Sequence, residues 1–305
     1  MTINSAAAGS EWFLNGISNL QQQLAQTERQ LSSGYQVESA ADSPGQTTQL
    51  VDLGSSLAAV QTYQTNLTRV QAEASGADQA LGSAISLIDN ARTLAVQAGN
   101  STLSPPDLTG IATQVQSIQQ QIAGLANTTV EGRYIFGGSQ DQSNPYQVTA
   151  AGSLVALTTS TAPRVITNPQ GQQVFQSLTA QQIFDPQDAS GASTGNSTIA
   201  ALQSLSTALA NNDQPGIASA LSSLDNVSTY LNQQQAYYGA SEQRLTNEQN
   251  NAASQITGLQ VSIAGIRDTN VPEAATDLAT ETTDQAAAYG AQAAISKKSL
   301  FDYLG

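Results

Sequence analysis

The apolar positions between Phe13 and Leu31 advance by alternating steps of four and three. Phe13, Ile17, Leu20, Leu24, Thr27 and Leu31 form the a/d seam of a coiled-coil helix. With Ile3, Trp12 and Leu14 included, about eight sizeable apolar side chains lie in the first 33 or so residues. Each contributes roughly 1.5–3 kcal/mol when buried, whereas ordering a residue costs about 1.5 kcal/mol. The segment therefore needs a surface from the C-terminus or from other copies. Residues 1–42 and 270–305 are expected to be coiled-coil segments that are disordered in the monomer and fold on binding. The candidate subunit contacts are Phe13, Ile17, Leu20, Leu24 and Leu31 at one end. At the other they are Leu278, Ile295, Leu300, Phe301, Tyr303 and Leu304.

Prolines divide the rest. Their nine positions leave proline-free runs at 45–104, 107–144, 216–271 and 273–305, which long helices fit. Ser43, Pro44 and Gln46 read as a capping box with proline at the first helical position. From there Leu53, Val60, Leu67, Ala74, Leu81, Ile88 and Ala95 recur every seven residues until Gly99-Asn100 stops the helix. About 55 residues at 1.5 Å each would make a rod of roughly 80 Å. Ser104 and Pro105 start another helix, with Ile111, Val115, Ile118, Ile122, Leu125 and Thr129 on its seam. On the far side, Ile217, Leu224, Leu231, Tyr238, Leu245, Ala252, Leu259 and Ile266 hold one seven-residue phase. A short helix around Leu202, Leu205 and Leu209 precedes them, and a break at 269–272 leads to the last segment. The expected helical rod is 43–133 with 196–269.

Between the helical halves the pattern changes to short alternating runs, at 146–149, 154–158, 164–167 and 173–175, separated by Gly, Pro and Asn. Residues 134–195 are thus expected to form a β-rich outer domain. The fold class is mainly α: an elongated helical bundle and coiled coil built from the N- and C-terminal halves, with a small β-rich domain inserted in the middle.

Composition narrows the chemistry. The 305 residues include no Cys and no His, which excludes thiolate chemistry, disulfides, imidazole bases and the common zinc ligand sets. Nine basic residues are scattered among 23 acidic ones for a net charge of -14, so neither nucleic acid nor an anionic membrane surface is an expected partner. No run of 18 apolar residues exists to span a membrane. The start, MTINSAAAGSEWF, lacks the basic and apolar regions of a secretory signal, so the expectation is a cytoplasmic protein or one exported by another signal. No cofactor or catalytic residue is expected. The Gly191–Gly195 stretch matches a nucleophile elbow, but Ser193 has no histidine base anywhere in the chain and reads as linker. Phe136-Gly137-Gly138 reads as a turn into the β domain. Glu273, Asp277, Glu281 and Asp284 share a helical face, where acids near a helix start serve the dipole better than a metal.

Three stretches together resemble the flagellin superfamily. Leu31-Ser-Ser-Gly34 with 39–46 resembles its N-terminal signature. Ala95–Asn100, Leu125–Asn127 and Gly132–Gly138 resemble the following helices and the approach to the outer domain, and 277–282 through 299–304 resemble its C-terminal helix. Within the superfamily, the ending Ser-Leu-Phe-Asp-Tyr-Leu and the Tyr-Ile-Phe-Gly-Gly entry to the outer domain are closer to the subunits of the hook-filament junction than to filament flagellin, which is the alternative. The resemblance implies a structural, non-enzymatic subunit, secreted unfolded through the flagellar export apparatus with a chaperone on its C-terminal helix. It also implies self-assembly into a tubular wall by head-to-tail contacts, next to another hook-associated protein and flagellin. A more remote reading is a secreted coiled-coil effector or translocator, which would keep its activity without residues 1–40.

Overall fold

The computed structural model describes residues 3–100, 103–148, 154–157 and 162–296. The chain divides into two compact units, Met1–Ala59 with Gln255–Gly305, and Val60–Ser254. No described helix is long and apolar enough to cross a membrane.

The larger unit is a helical bundle carrying a β-rich insert. From Val60 on, the long helix α2 (Pro44–Ala98) belongs to it; that helix starts with the proline whose missing N–H has no partner to lose there, and the Thr47 amide bonds to Ser43 O at 2.9 Å. The seven-residue series becomes its core stripe: Leu67, Leu81 and Ile88 are fully buried, with Ala74 and Ala95. The helix stops where Gly99 N turns back to Ala95 O. The matching stripe of α6 (Gln214–Arg267), Ile217, Leu224, Leu231, Tyr238, Leu245 and Ala252, is buried too. Arg92 of α2 bonds to Asp225 of α6 at 2.6 Å, and Tyr63 to Glu248 at 3.3 Å, so the two helices run antiparallel. Burial first and then the Glu248 carboxylate push the Tyr63 phenol up to about 12.

The next helix, α3 (Pro105–Ala126), packs on α5 (Thr198–Ala210) through Leu108, Ile111, Val115 and Ile122 against Leu202, Leu205 and Leu209. At its start Asp107 accepts from both the amide and the hydroxyl of Ser104, at 3.1 and 2.6 Å. The seam of α3 does not reach Thr129. Asn127 N closes the helix on Ala123 O, and its side chain leaves to bracket Tyr146, donating to Tyr146 O at 2.8 Å and accepting from Tyr146 N at 3.0 Å. Thr129 instead opens a strand.

The insert holds three antiparallel hairpins: β1 (Thr129–Val130) with β2 (Arg133–Tyr134), β3 (Tyr146–Val148) with β4 (Leu154–Ala156), and β5 (Val165–Thr167) with β6 (Gln173–Gln176). The last three strands and β3 fall on the four alternating runs of the sequence. The register of β5 and β6 shifts between Ile166 and Thr167. A short helix, α4 (Ala180–Phe184), follows, with Thr179 and Gln182 forming a reciprocal capping box. Gly138, at φ +59°, is held by close backbone approach: a Cβ there would lie 2.6 Å from Ala162 O. Between the hairpins and α6, the Phe136 ring meets Phe184 edge-on at 5.8 Å and Tyr238 at 6.4 Å. Around Gly191, Ser193 Oγ donates to Asp185 Oδ1 at 2.7 Å, beside Ser197 Oγ at 2.6 Å, within a turn.

Candidate assembly surface

The smaller unit contains α1 (Ile3–Ser33), the start of α2, the end of α6 and α7 (Val271–Ser296). Here α1 lies along α7, and the pair is antiparallel: Gln21 Nε2 donates to Tyr289 OH at 2.7 Å, and Thr27 Oγ1 to Glu281 Oε1 at 3.2 Å. The C-terminal segment therefore supplies a partner for the N-terminal seam.

The cover it provides is partial. Of the α1 seam, Ile17 and Thr27 are buried, while Phe13, Leu20, Leu24 and Leu31 stay half-exposed. On α7, Ala274 is buried and Leu278 half-buried. Ile295 lies in α7 with its side chain outside the described set, and Leu300, Phe301, Tyr303 and Leu304 lie outside the described residues. Contrast this with the larger unit, where the seam residues Leu67, Leu81, Ile88, Leu224, Leu231 and Leu245 are all at 0% exposure. The difference has a compositional cause. Facing α1, the α7 stripe offers Ala274, Glu281 and Ala288 around a single Leu278, too little bulk to close over leucines. The same incompleteness holds for the parts of α2 and α6 in this unit: Leu50, Leu53 and Leu57 of α2 and Ile256, Leu259 and Ile263 of α6 are all half-buried.

Some features of this surface are not visible as heptads. Trp12, the one tryptophan of the chain, is 84% exposed and Leu14 52% exposed, flanking the seam residue Phe13 but outside the seam itself. Val51, Val261 and Val271 are exposed as well. Large apolar side chains left in water on the unit that also carries the half-covered seam are candidates for burial against other protein. The loop after α1 is held by Asp42, whose carboxyl accepts from the Ser39 amide at 2.7 Å and hydroxyl at 2.9 Å; these bonds keep it below the usual carboxylate range.

Long antiparallel helices from the two halves of the chain, a β-rich insert between them and an under-covered terminal helix pair define a flagellin-type subunit. Residues 4–141 match the bacterial flagellin N-terminal helical region, residues 221–304 match the bacterial flagellin C-terminal helical region, and the chain belongs to this family. Within it, the chain is similar to flagellar hook-associated protein 3 of Salmonella typhimurium, 30% identical over 179 residues, which is 57% of this chain and 56% of that one. It is likewise similar to flagellar hook-associated protein 3 of Escherichia coli, 31% identical over 202 residues, 62% of this chain and 63% of that one. The matches thus span between about half and two thirds of these curated relatives. The crystal structure of flagellar hook-associated protein 3 from Legionella pneumophila shares the fold, with a TM-score of 0.59 at 13% identity over 70% of this chain and 98% of that one.

Proposed function

We propose that the chain is a structural subunit of the bacterial flagellum that sits at the hook-filament junction and adapts the hook to the filament. The observation that carries this reading is the 30–31% identity to two flagellar hook-associated proteins 3. The half-covered α1–α7 pair supports it, because a seam that one chain leaves open is one that neighbouring copies can close. On this reading Phe13, Ile17, Leu20, Leu24, Leu31 and Leu278 pack between subunits, together with Ile295, Leu300, Phe301, Tyr303 and Leu304. The segments 1–42 and 270–305 order fully only on assembly, after export unfolded with a chaperone on the C-terminal helix. The neighbours are copies of itself, another hook-associated protein on one side and flagellin on the other. The role needs no cofactor and no catalytic residue, and Ser193, engaged by Asp185, has none of the partners of a nucleophile.

Deletion of the gene tests the assignment. Cells should build hooks, grow no filament and release flagellin monomers into the medium, and expression of the intact chain should restore filaments. Cells that still grow filaments, or that stop producing flagellin altogether, would refute a junction role.

A further inference from the structure

The last carbonyls of α6 are satisfied from the opposite end of the sequence. A helix end leaves four carbonyls without intrahelical donors. Continuation into α7 is barred by Pro272, which has no N–H for Asp268 O and whose ring would collide with that carbonyl. The donors come from the loop that follows α1. Gln36 Nε2 reaches Ile266 O at 2.8 Å, the Gln36 amide reaches Arg267 O at 2.8 Å, and the Val37 amide reaches the same oxygen at 3.4 Å. In return the Thr269 amide donates to Gly34 O at 2.8 Å, so that Tyr35 and Asp268 form an antiparallel bridge. The Arg267 guanidinium lies 4.4 Å over the Tyr35 ring. Gly34, at φ +77°, makes the turn out of α1, and Val37 is buried to 6% exposure behind it.

We propose that residues 34–37, from the opposite end of the same chain, act as the C-terminal cap of α6, and that this clasp makes the ordering of α1 and of α7 a single cooperative step. The geometry gives the coupling. Gly34 immediately follows α1 and Thr269 shortly precedes α7, so closing the clasp sets the two helix ends side by side. That fixes the register in which Thr27 meets Glu281 and Gln21 meets Tyr289. Opening it frees both helices and leaves the Ile266 and Arg267 carbonyls without their donors. Neither step depends on the flagellar assignment.

Hydrogen exchange on the purified full chain tests this in two ways. Gln36→Ala should speed exchange in 13–31 and in 274–293 by the same factor, roughly tenfold for the loss of one strong cap bond, with 217–245 unchanged. A Tyr35→Cys/Asp268→Cys pair, in a chain with no other cysteine, should on oxidation slow both helices together relative to its own reduced form. The second arm reads the coupling as a gain of order even where both helices already exchange freely. A change confined to one helix, no change in either on oxidation, or an acceleration that spreads to 217–245 would each overturn the proposal.

Discussion

Arg164, just before β5, forms an ion pair with Glu73 of α2, a carboxylate that is only 4% exposed. Arg69 reaches the same carboxylate at 3.8 Å, while Asp141 accepts from Arg164 at 3.4 Å and from Arg133 at 2.9 Å. Burial, and secondarily the charge of Arg69, hold the Arg164 guanidinium below its ordinary value. The network fastens the β-rich insert to the long helix by charge, beside the buried Val70 and Ala77 on the same face of that helix.

Removing only one partner should be costly. Glu73→Gln leaves Arg164 and Arg69 facing each other with Asp141, 3.4 Å from Arg164, as the remaining counter-charge, and about 3 kcal/mol of stability should be lost. Replacing both Glu73 and Arg164 with leucine should restore most of it, because no buried charge is then stranded. Urea denaturation of Glu73→Leu, Arg164→Leu and the double variant measures the coupling. Additive losses would show that the pair is not the unit that matters.

Three tyrosines of α6 hold the insert from the other side. Tyr230 OH donates to Gln182 O at 2.6 Å, Tyr237 OH donates to Gln176 O at 2.7 Å, and Tyr238 OH accepts from the Leu178 amide at 3.1 Å. Tyr238→Phe should cost about 1–3 kcal/mol, the penalty of leaving the part-buried Leu178 amide without its acceptor, and should raise hydrogen exchange at Leu178 first. Tyr237→Phe should cost less, since the Tyr237 phenol is only part-buried and water can reach the freed carbonyl. Equal losses for the two would mean that ring contacts, not hydrogen bonds, anchor the insert.

These anchors also mark how far the sequence could be read. Leu67, Leu81 and Ile88, like Leu224, Leu231 and Leu245, repeat at the helical period, so the long helices and their buried stripes follow from spacing alone. Pro44 and Gly99 punctuate α2 for reasons that are local to the chain. The β1–β2 hairpin and α4 carry too few residues for any period to register, and Thr129 continued a seam arithmetically although Asn127 had already turned its side chain to Tyr146. Glu73 with Arg164, and Gln36 with Ile266, are separated by 91 and 230 residues. Long-range polar pairing of that kind has no signature along the chain. In the candidate surface, Phe13 to Leu31 were legible as a seam, but Trp12 was not, because nothing in a heptad distinguishes a side chain left outside it.

Glu242 of α6 gives the fold a pH dependence. Burial first, and then the charge of Asp78 on α2, push its carboxyl above the usual carboxylate range, with a Ser75 hydrogen bond opposing in part. Its Oε1 is buried without a hydrogen-bond partner among the described residues. A carboxyl raised in the folded state binds its proton more tightly there than in the unfolded chain. The stabilisation is complete below the unfolded value, about 4.3, and is lost as pH rises through the folded value. Glu242→Gln should therefore raise Tm at pH 7, and its advantage over the parent should vanish below about pH 4. A lower Tm for the variant at pH 7 would mean that the ionised carboxylate is favourably engaged.

Trp12 separates folding from assembly. At 84% exposure it contributes little to the single chain, so Trp12→Ala should change monomer stability by no more than about 0.5 kcal/mol. A large aromatic side chain that meets water alone but lies next to a half-covered seam is the residue type on which interface energies concentrate. Incorporation of Trp12→Ala chains into filamented cells should accordingly fall, even though the purified variant unfolds at the parent's temperature. The indole itself reports the event, as the chain has no other tryptophan. Its emission in the monomer should be that of a water-exposed ring, readily quenched by acrylamide. On assembly it should shift to the blue and lose most of that quenching. An emission already blue-shifted in the dilute monomer, or unchanged in the assembled state, would place Trp12 outside the subunit contact and confine that contact to the seam of α1.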